Sequence, residues 1–256
     1  MQLIKQALVT SALLAVAHGQ AVVIGAKGQR GSPVSFGLQV DSSNSDDANF
    51  ISDTEITTNV VNECGRTLQG GNIDIGEQTE NALADGNVTQ TTAGSRIKVF
   101  IQQVNDEGAG PFTCDMDPTG NSIGVTGQTE LTVRESEANN NGIITLRVAM
   151  PNDLQCTGAS TGNVCTVRCR NANNFGGCIA VQQTDVNPSE NDPTTIETAQ
   201  TLEGILDQVA QNVKDLPQAL EGIAEASQDP SDQGTSVVDA IQAADKTTVD
   251  DTVDAP

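Results

Sequence analysis

The only histidine of the chain, His18, directly follows a segment with the features of a secretory signal peptide. Lys5 precedes an apolar run over residues 7–17, and the run ends in Ala15-Val-Ala17, a small-x-small pattern that signal peptidases cleave. It is shorter than the roughly 20 apolar residues that span a bilayer. Removal of residues 1–17 would leave His18 first in the chain, with an α-amine and an imidazole nitrogen that could bind one metal ion.

This pair of nitrogens resembles half of the histidine brace of copper-dependent lytic polysaccharide monooxygenases, which also begin with His-Gly, as His18-Gly19 would here. The resemblance implies a copper ion at His18 and oxidative chemistry on a polysaccharide. The brace needs a second histidine, which this chain lacks. Because Cu(II) prefers several nitrogen ligands, a carboxylate, Gln102 or another protein would have to complete the site. We therefore predict no cofactor and keep copper as the alternative.

Hydrolytic chemistry finds little support in the residue types. Ser-His-Asp and Cys-His arrangements need a histidine as base, and His18 is the sole candidate. Two carboxylates could cleave a glycoside, but no pair stands out among 34 acidic residues. The loose candidates are Asp74, Glu77, Glu80, Asp115 and Asp117. We therefore favour a protein that is not an enzyme.

Six cysteines lie between residues 64 and 178, namely Cys64, Cys114, Cys156, Cys165, Cys169 and Cys178. An even number behind a signal peptide predicts three disulfides and an extracellular location. None of the spacings is Cys-x2-Cys, and one histidine is too few for the common zinc sites.

The spacing also suggests which cysteines pair. On one strand, Cys165 and Cys169 would share a face. We predict that Cys156 and Cys178, on the flanking segments, pair with one of them each. This leaves Cys64 to pair with Cys114.

The composition restricts the possible partners. With a net charge of -22, the chain is a poor ligand for phosphate backbones, so we predict no nucleic-acid partner and no binding to anionic membranes. The chain has neither Trp nor Tyr, so a carbohydrate platform built on aromatic stacking is not expected.

Short strands punctuated by Gly, Asn, Asp and Pro dominate residues 18–190. Apolar and polar residues alternate over residues 34–40, the pattern of a half-buried strand. Further strands are predicted at 96–104, 143–150, 164–168 and 179–183, and short helices near 57–64 and 77–85. Many short strands separated by turns predict a mainly β fold, a disulfide-stapled, immunoglobulin-like β-sandwich.

The spacing of apolar residues changes in residues 191–226, from that of a strand to that of a helix. Seven aliphatic residues follow with alternating spacings of four and three, the pattern of a helix with one apolar stripe: Leu202, Leu206, Val209, Val213, Leu216, Leu220 and Ile223. Pro217 interrupts the run, so we predict two helices that meet near residues 214–217. The stripe fits either a coiled-coil partner or a helical hairpin docked on the sandwich, and we favour the hairpin. The acidic tail, residues 227–256, is predicted to be disordered.

Asn87-Val-Thr89 is a sequon for N-glycosylation. It follows Gly86, which is predicted to end the helix at 77–85. In an exported chain we expect Asn87 to carry a glycan if this loop is exposed.

Several longer strings resemble the fungal Egh-type virulence factors, also called Mas-type or Gas-type appressorium-specific cell-surface proteins. The strings cover residues 59–67, 71–83, 103–117, 156–171 and 175–186, and the resemblance runs from His18 to about Ala224. It implies a secreted protein of a filamentous fungus that aids penetration of a host surface. Members often carry a histidine where this chain has Gln102, so the resemblance also implies that any family metal brace is incomplete here.

Together these observations predict a cell-surface or wall-associated virulence factor that binds a cell-wall polymer or a host surface component. The rival is a copper-dependent oxidative enzyme acting on wall polysaccharide through His18, and a structural coat protein is a third possibility. The sequence leaves the oligomeric state open.

Overall fold

A computed structural model describes residues 20–41, 47–58, 60–120, 128–190, 202–225, 234, 236–241 and 243. Within them the strands are β1 (Ala21–Lys27), β2 (Val34–Ser35), β3 (Asn49–Phe50), β4 (Arg66–Thr67), β5 (Gly71–Asn72), β6 (Thr89–Thr91), β7 (Arg96–Gln103), β8 (Phe112–Asp117), β9 (Thr129–Glu135), β10 (Ile143–Ala149), β11 (Val164–Asn171) and β12 (Gly176–Gln183). The α-helices are α1 (Asp53–Thr57), α2 (Ile75–Ala84) and α3 (Leu202–Glu225).

Seven strands close into a β-barrel. Their order around the barrel is β1, β7, β10, β9, β8, β11 and β12, and β12 pairs again with β1. The short strands β2 and β6 extend the sheet beside β1 and β12. The fold is mainly β and carries three disulfides, but the predicted immunoglobulin-like sandwich is wrong, because one sheet closes on itself instead of packing against a second sheet.

Closure depends on two glycines at the start of β12. Val22 of β1 pairs in parallel with Gly176. The next residue, Gly177, has φ of 154°, which side-chain-bearing residues rarely adopt. A Cβ at this position would lie 3.0 Å from the Cβ of Val23. The absence of a side chain at Gly177 therefore lets β1 and β12 approach, whereas a Cβ on Gly176 would lie 1.9 Å from the Cys169 carbonyl oxygen of β11. Period-2 patterning in the sequence does not indicate either contact.

Aliphatic side chains fill the barrel. In β7, Ile97, Val99 and Ile101 are fully buried while the intervening residues point outward. Their core neighbours include Ile144, Leu146, Val148, Cys165, Val167, Cys169, Ile179 and Val181. Because side chains alternate between the two faces along β7, β10 and β11, one face of each strand lies in the same core.

A three-stranded sheet, β3-β4-β5, lies outside the barrel. The Cys64–Cys178 disulfide joins its segment to β12 and packs with Leu38, Ile73 and Ile75. We call this unit the small sheet. It contacts the barrel through this disulfide and its apolar surround, and also through the Phe50–Phe175 bridge and the hydrogen bond from the Ile51 amide to the Asn174 carbonyl at 2.7 Å.

The other disulfides are Cys114–Cys169 and Cys156–Cys165, so all six cysteines are paired. The prediction that Cys156 pairs with one of the β11 cysteines is confirmed, whereas the predicted pairing of Cys178 with the other β11 cysteine and of Cys64 with Cys114 is wrong. Cys178 lies opposite Arg168 in the β11–β12 ladder, one position out of phase with Cys169. Because side chains alternate between the faces of a strand, Cys178 points out of the barrel toward Cys64.

Several predicted elements match closely. The strands predicted from residues 96, 143, 164 and 179 and the helix near 77–85 are present with small changes of boundary. The strand predicted over residues 34–40 ends after Ser35, because Gln39 turns the chain with φ of 60°, and Phe36 is 53% exposed. The helix predicted at 57–64 lies earlier, at α1.

The predicted break of the C-terminal helix at Pro217 is wrong. Helix α3 runs from Leu202 to Glu225 with Pro217 inside it. Because Pro217 has no backbone N–H, the helical hydrogen bond to the carbonyl of Val213 is missing. Both residues are exposed, so water can reach that carbonyl. No helix in the described ranges has the length and apolarity that a membrane crossing requires.

Residues 234, 236–241 and 243 are helical, so the prediction of disorder is wrong for them. The rest of the predicted acidic tail falls outside the described residues. We call residues 236–241 the C-terminal segment. A Cβ on Gly222 of α3 would lie 2.6 Å from the Ser236 carbonyl oxygen, so the missing side chain allows this close contact.

Candidate binding cleft

A buried ion pair anchors the small sheet to helix α1. Nε of Arg66 donates to Oε2 of Glu55 at 3.1 Å, and Nη2 donates to Oε1 at 3.3 Å. Both side chains are almost fully buried. The guanidinium carbon also lies 5.2 Å from the centroid of the Phe50 ring. This geometry neutralises two charges away from water and fixes the orientation of both side chains.

Arg66 of this ion pair lines a cleft of about 370 Å³. One wall is the small sheet and its flanks, the second is helix α3, and the third is the C-terminal segment with Gly234. The lining residues are Thr58, Val60, Arg66, Gly71, Asn72, Asn212, Asp215, Leu216, Ala219, Ile223, Gly234, Val237 and Ile241. We call this space the cleft.

The lining combines two kinds of surface. Leu216, Ile223 and Ile241 contribute aliphatic side chains. Asn72 and Asn212 contribute side-chain amides, which both donate and accept hydrogen bonds. A cleft of this size with an apolar wall and a few polar groups is typical of sites that hold a small ligand or one unit of a polymer.

A second charged cluster lies where β8 meets β11. Arg168 forms a bidentate ion pair with Asp115, in which Nε donates to Oδ1 at 2.8 Å and Nη2 donates to Oδ2. The same guanidinium donates to the backbone carbonyl of Glu63 at 3.3 Å. The Oε2 atom of Glu63 is buried without a hydrogen-bond partner. Burial raises the pKa of Glu63 from 4.5 to about 6, although Arg168 acts in the opposite direction.

Four of the five carboxylates that could have served as a hydrolytic pair have structural roles, and the fifth, Glu77, contributes its backbone amide to the cap of helix α2. Asp74 caps helix α2 by accepting from the Glu77 backbone amide at 2.8 Å. Glu80 accepts from the amide and hydroxyl of Ser160. Asp117 is buried and accepts from the amide of Thr119 at 2.8 Å, and Asp115 binds Arg168. These bonds tie the carboxylates to caps, turns and a buried ion pair.

The predicted metal ligands are only partly placed. His18 lies outside the described residues, so copper at His18 stays the untested alternative to the prediction of no cofactor. Gln102 lies on β7 opposite Val22, which follows His18 by four residues. Its amide nitrogen donates to the carbonyls of Gln103 and Asn141 at 3.1 and 3.0 Å. Gln102 is therefore close in register to the start of β1, but its amide group already supports the β7–β10 end of the barrel.

Asn87 lies just after helix α2, where Gly86 reverses the chain with φ of 68°. The side chain is partly exposed, while Thr89 is buried. The hydroxyl of Thr89 accepts from the Gly28 amide at 2.7 Å. A glycan on Asn87 would have to be attached before Thr89 folds into the barrel, and glycosylation stays a prediction.

Sequence reasoning missed the cleft as a site. Arg66 and Glu55 are 11 positions apart and are brought together only by the turn after α1. The apolar stripe of α3 contained part of the signal, because Leu216 and Ile223 line the cleft. No pattern in the sequence indicates that the C-terminal segment forms the third wall.

Comparison with known proteins agrees with the resemblance found in the sequence. The family model described as Egh16-like virulence factor matches residues 17–177, which include six of the seven barrel strands and the first two residues of β12. The chain is 33% identical over 130 residues to appressoria-specific virulence factor GAS1 of Pyricularia oryzae, covering 46% of this chain and 52% of that protein. It is 29% identical over 134 residues to GAS2 of the same fungus, covering 46% of each. The chain therefore spans about half the length of the curated relatives it matches, and on the family match it belongs to the Egh16-like virulence factors.

Proposed function

We propose that the chain is an exported fungal virulence factor that acts at the appressorium by binding, without catalysis, to a cell-wall polymer or a host surface component. The appressorium is the location that the names of the two relatives give for those proteins. Three disulfides are typical of proteins that fold outside the cytosol, which supports export.

The observation that carries the binding role is the cleft. Its volume of about 370 Å³ lies in the range of small-ligand sites. The Asn72 amide nitrogen donates to the Val60 carbonyl at 2.9 Å, and the amide has a second N–H and an oxygen that are suited to sugar hydroxyls or peptide groups. The wall of Leu216, Ile223 and Ile241 is suited to the apolar face of a sugar ring or to an aliphatic chain. Recognition of this kind needs no Trp or Tyr.

The carboxylate contacts support a binding role over hydrolysis. Glycosidases need two carboxyl groups that face one substrate-sized space. Asp74, Glu80 and Asp117 instead accept hydrogen bonds from backbone amides, and Asp115 forms an ion pair with Arg168. None of the four lines the cleft, where Asp215 is the single carboxylate among the lining residues.

A sedimentation assay on insoluble chitin, β-glucan and plant cuticle tests the proposal. Ala219→Trp places an indole in the cleft from a helical position, and we expect it to reduce the bound fraction at least tenfold on the polymer that wild type binds. Ala210→Trp is the matched control, because Ala210 is an exposed residue of the same helix that does not line the cleft. We expect the control to bind as wild type does.

Two results would overturn the proposal. One is that wild type binds none of the three materials above the level of a charge-matched inert protein. The other is that Ala219→Trp and Ala210→Trp reduce binding equally, which would place the contact outside the cleft.

A further inference from the structure

Helix α3 leaves most of its apolar stripe in water. The six described members of the stripe are 43 to 68% exposed: Leu206, Val209, Val213, Leu216, Leu220 and Ile223. Leu216 and Ile223 also line the cleft, so a ligand in the cleft and a partner on the stripe would compete for these two side chains, whereas the other four do not line it. Contiguous apolar surface of this kind is uncommon on a monomer and marks an interaction site.

The spacing of the stripe is that of a coiled-coil seam. Leu206, Val213 and Leu220 occupy one heptad position, and Val209, Leu216 and Ile223 occupy the other. The helix has 24 residues, a length of about 36 Å. It therefore presents about three heptads, which is enough to form a short two-helix contact.

The charges beside the seam indicate the partner. In coiled coils, the positions flanking the seam usually carry charges that select a partner of opposite charge. Here the seven flanking residues are Glu203, Ile205, Ala210, Asn212, Pro217, Ala219 and Ala224, with a single charge among them. A charged partner helix would gain almost nothing from these residues. A helix with the same uncharged flanks would meet no repulsion, even though the whole chain carries -22.

We infer that the exposed stripe of α3 binds the same stripe of a second copy, so that the protein forms a homodimer through its C-terminal helix. Complete burial of one Leu or Val removes roughly 60 to 120 Å² of apolar surface from water. Six half-exposed side chains and their neighbours on each copy would bury on the order of 1,000 Å² in total, close to the lower limit for specific interfaces. We therefore expect a dissociation constant on the order of micromolar.

Sedimentation velocity of the full processed chain between about 1 and 100 µM tests the inference. Wild type should shift from monomer to dimer across this range. Val213→Glu should remain monomeric, because it places two carboxylates in the seam. Lys214→Gln is the matched control, since it changes the net charge by the same amount at the adjacent residue, off the seam, and it should dimerise as wild type does.

Far-UV circular dichroism and the urea midpoint establish that each variant is folded. If Val213→Glu is not folded, Leu220→Asn replaces it with the same expectation. A wild type that stays monomeric at the highest concentration would overturn the inference. So would equal dimerisation of Val213→Glu and Lys214→Gln.

Discussion

Ile97, Val99 and Ile101 in strand β7 are fully buried, whereas Val213, Leu216 and Leu220 in helix α3 are more than half exposed. Both elements carry aliphatic residues at regular spacing: every second residue in the strand, and every third or fourth residue in the helix. The strand meets a barrel that closes on itself, while, among the residues that the structure describes, the stripe of the helix meets the rest of the chain along its edge at the cleft. Regular apolar spacing thus indicates that an element has an apolar face. Whether that face is buried within one chain depends on how the rest of the fold packs around it.

The two regions also differ in their relation to the family. The family match ends at residue 177, just inside β12, and helix α3 lies beyond it. The barrel and the small sheet are therefore the part shared with the family. The cleft combines this shared surface with α3 and the C-terminal segment, so its specificity can be particular to this chain.

The largest expected effect concerns the disulfide that joins the small sheet to the barrel. Cys64 and Cys178 are separated by 114 residues, so replacing both with Ser should lower the free energy of unfolding by about 5 kcal/mol. The Cys156→Ser/Cys165→Ser variant removes a disulfide whose cysteines are only nine positions apart. Its loss of unfolding free energy should be about 2 kcal/mol smaller. Urea denaturation measures both, and equal losses would contradict a role for the long loop.

The buried ion pair gives the next largest effect. Arg66→Leu leaves the Glu55 carboxylate buried without its cation, which should cost about 4 kcal/mol in unfolding free energy. The double variant Arg66→Leu/Glu55→Leu removes both charges and should recover most of that loss. If the double variant is as unstable as the sum of the two single variants, Arg66 and Glu55 do not act as a pair.

Barrel closure is tested at Gly177. Gly177→Ala introduces a Cβ at 3.0 Å from that of Val23 and a strained φ, and should lower stability by about 2 to 3 kcal/mol. Gly31→Ala is the control, because Gly31 also has a positive φ but has open space around it, and should lose about 1 kcal/mol. A loss at Gly177 no greater than at Gly31 would contradict tight packing of β1 on β12.

The smallest effect is a pH dependence at Glu63. Its pKa rises from 4.5 to about 6 on folding, so its contribution to stability is full below pH 4.5 and is lost as pH rises through 6. At pH 7 the ionised form therefore costs up to about 2 kcal/mol. Glu63→Gln should be more stable than wild type by about 1 kcal/mol at pH 7 and equal to it near pH 4.5, as measured by urea denaturation at both values. An advantage that is the same at both pH values would contradict this account of the Glu63 carboxyl.

Local patterns in the sequence predicted local features well. The alternation in residues 96–104 and 143–150 identified β7 and β10, and the even cysteine count identified three disulfides. Closure of the barrel depends on the pairing of Val22 with Gly176, which are far apart in the chain and share no pattern. The sandwich prediction failed for this reason, because sandwiches and barrels are built from the same alternating strands.

The cleft was beyond prediction for a related reason. Asn72, Ala219 and Ile241 come from three distant segments that only the tertiary structure brings together. Proline at 217 also misdirected the helix prediction, because the lost hydrogen bond and the crowding of the ring against the carbonyl of Val213 disfavour a helix without always ending it.

Binding without catalysis is the central claim, and one assay tests it directly. The processed protein is incubated with the insoluble polymer that it binds, in the presence of Cu(II) and a reductant, and soluble oligosaccharides are measured together with the bound fraction. The account predicts bound protein and no soluble products above those of heat-denatured protein. Oxidised oligosaccharides that wild type releases and His18→Ala does not release would contradict it and establish the copper-dependent alternative.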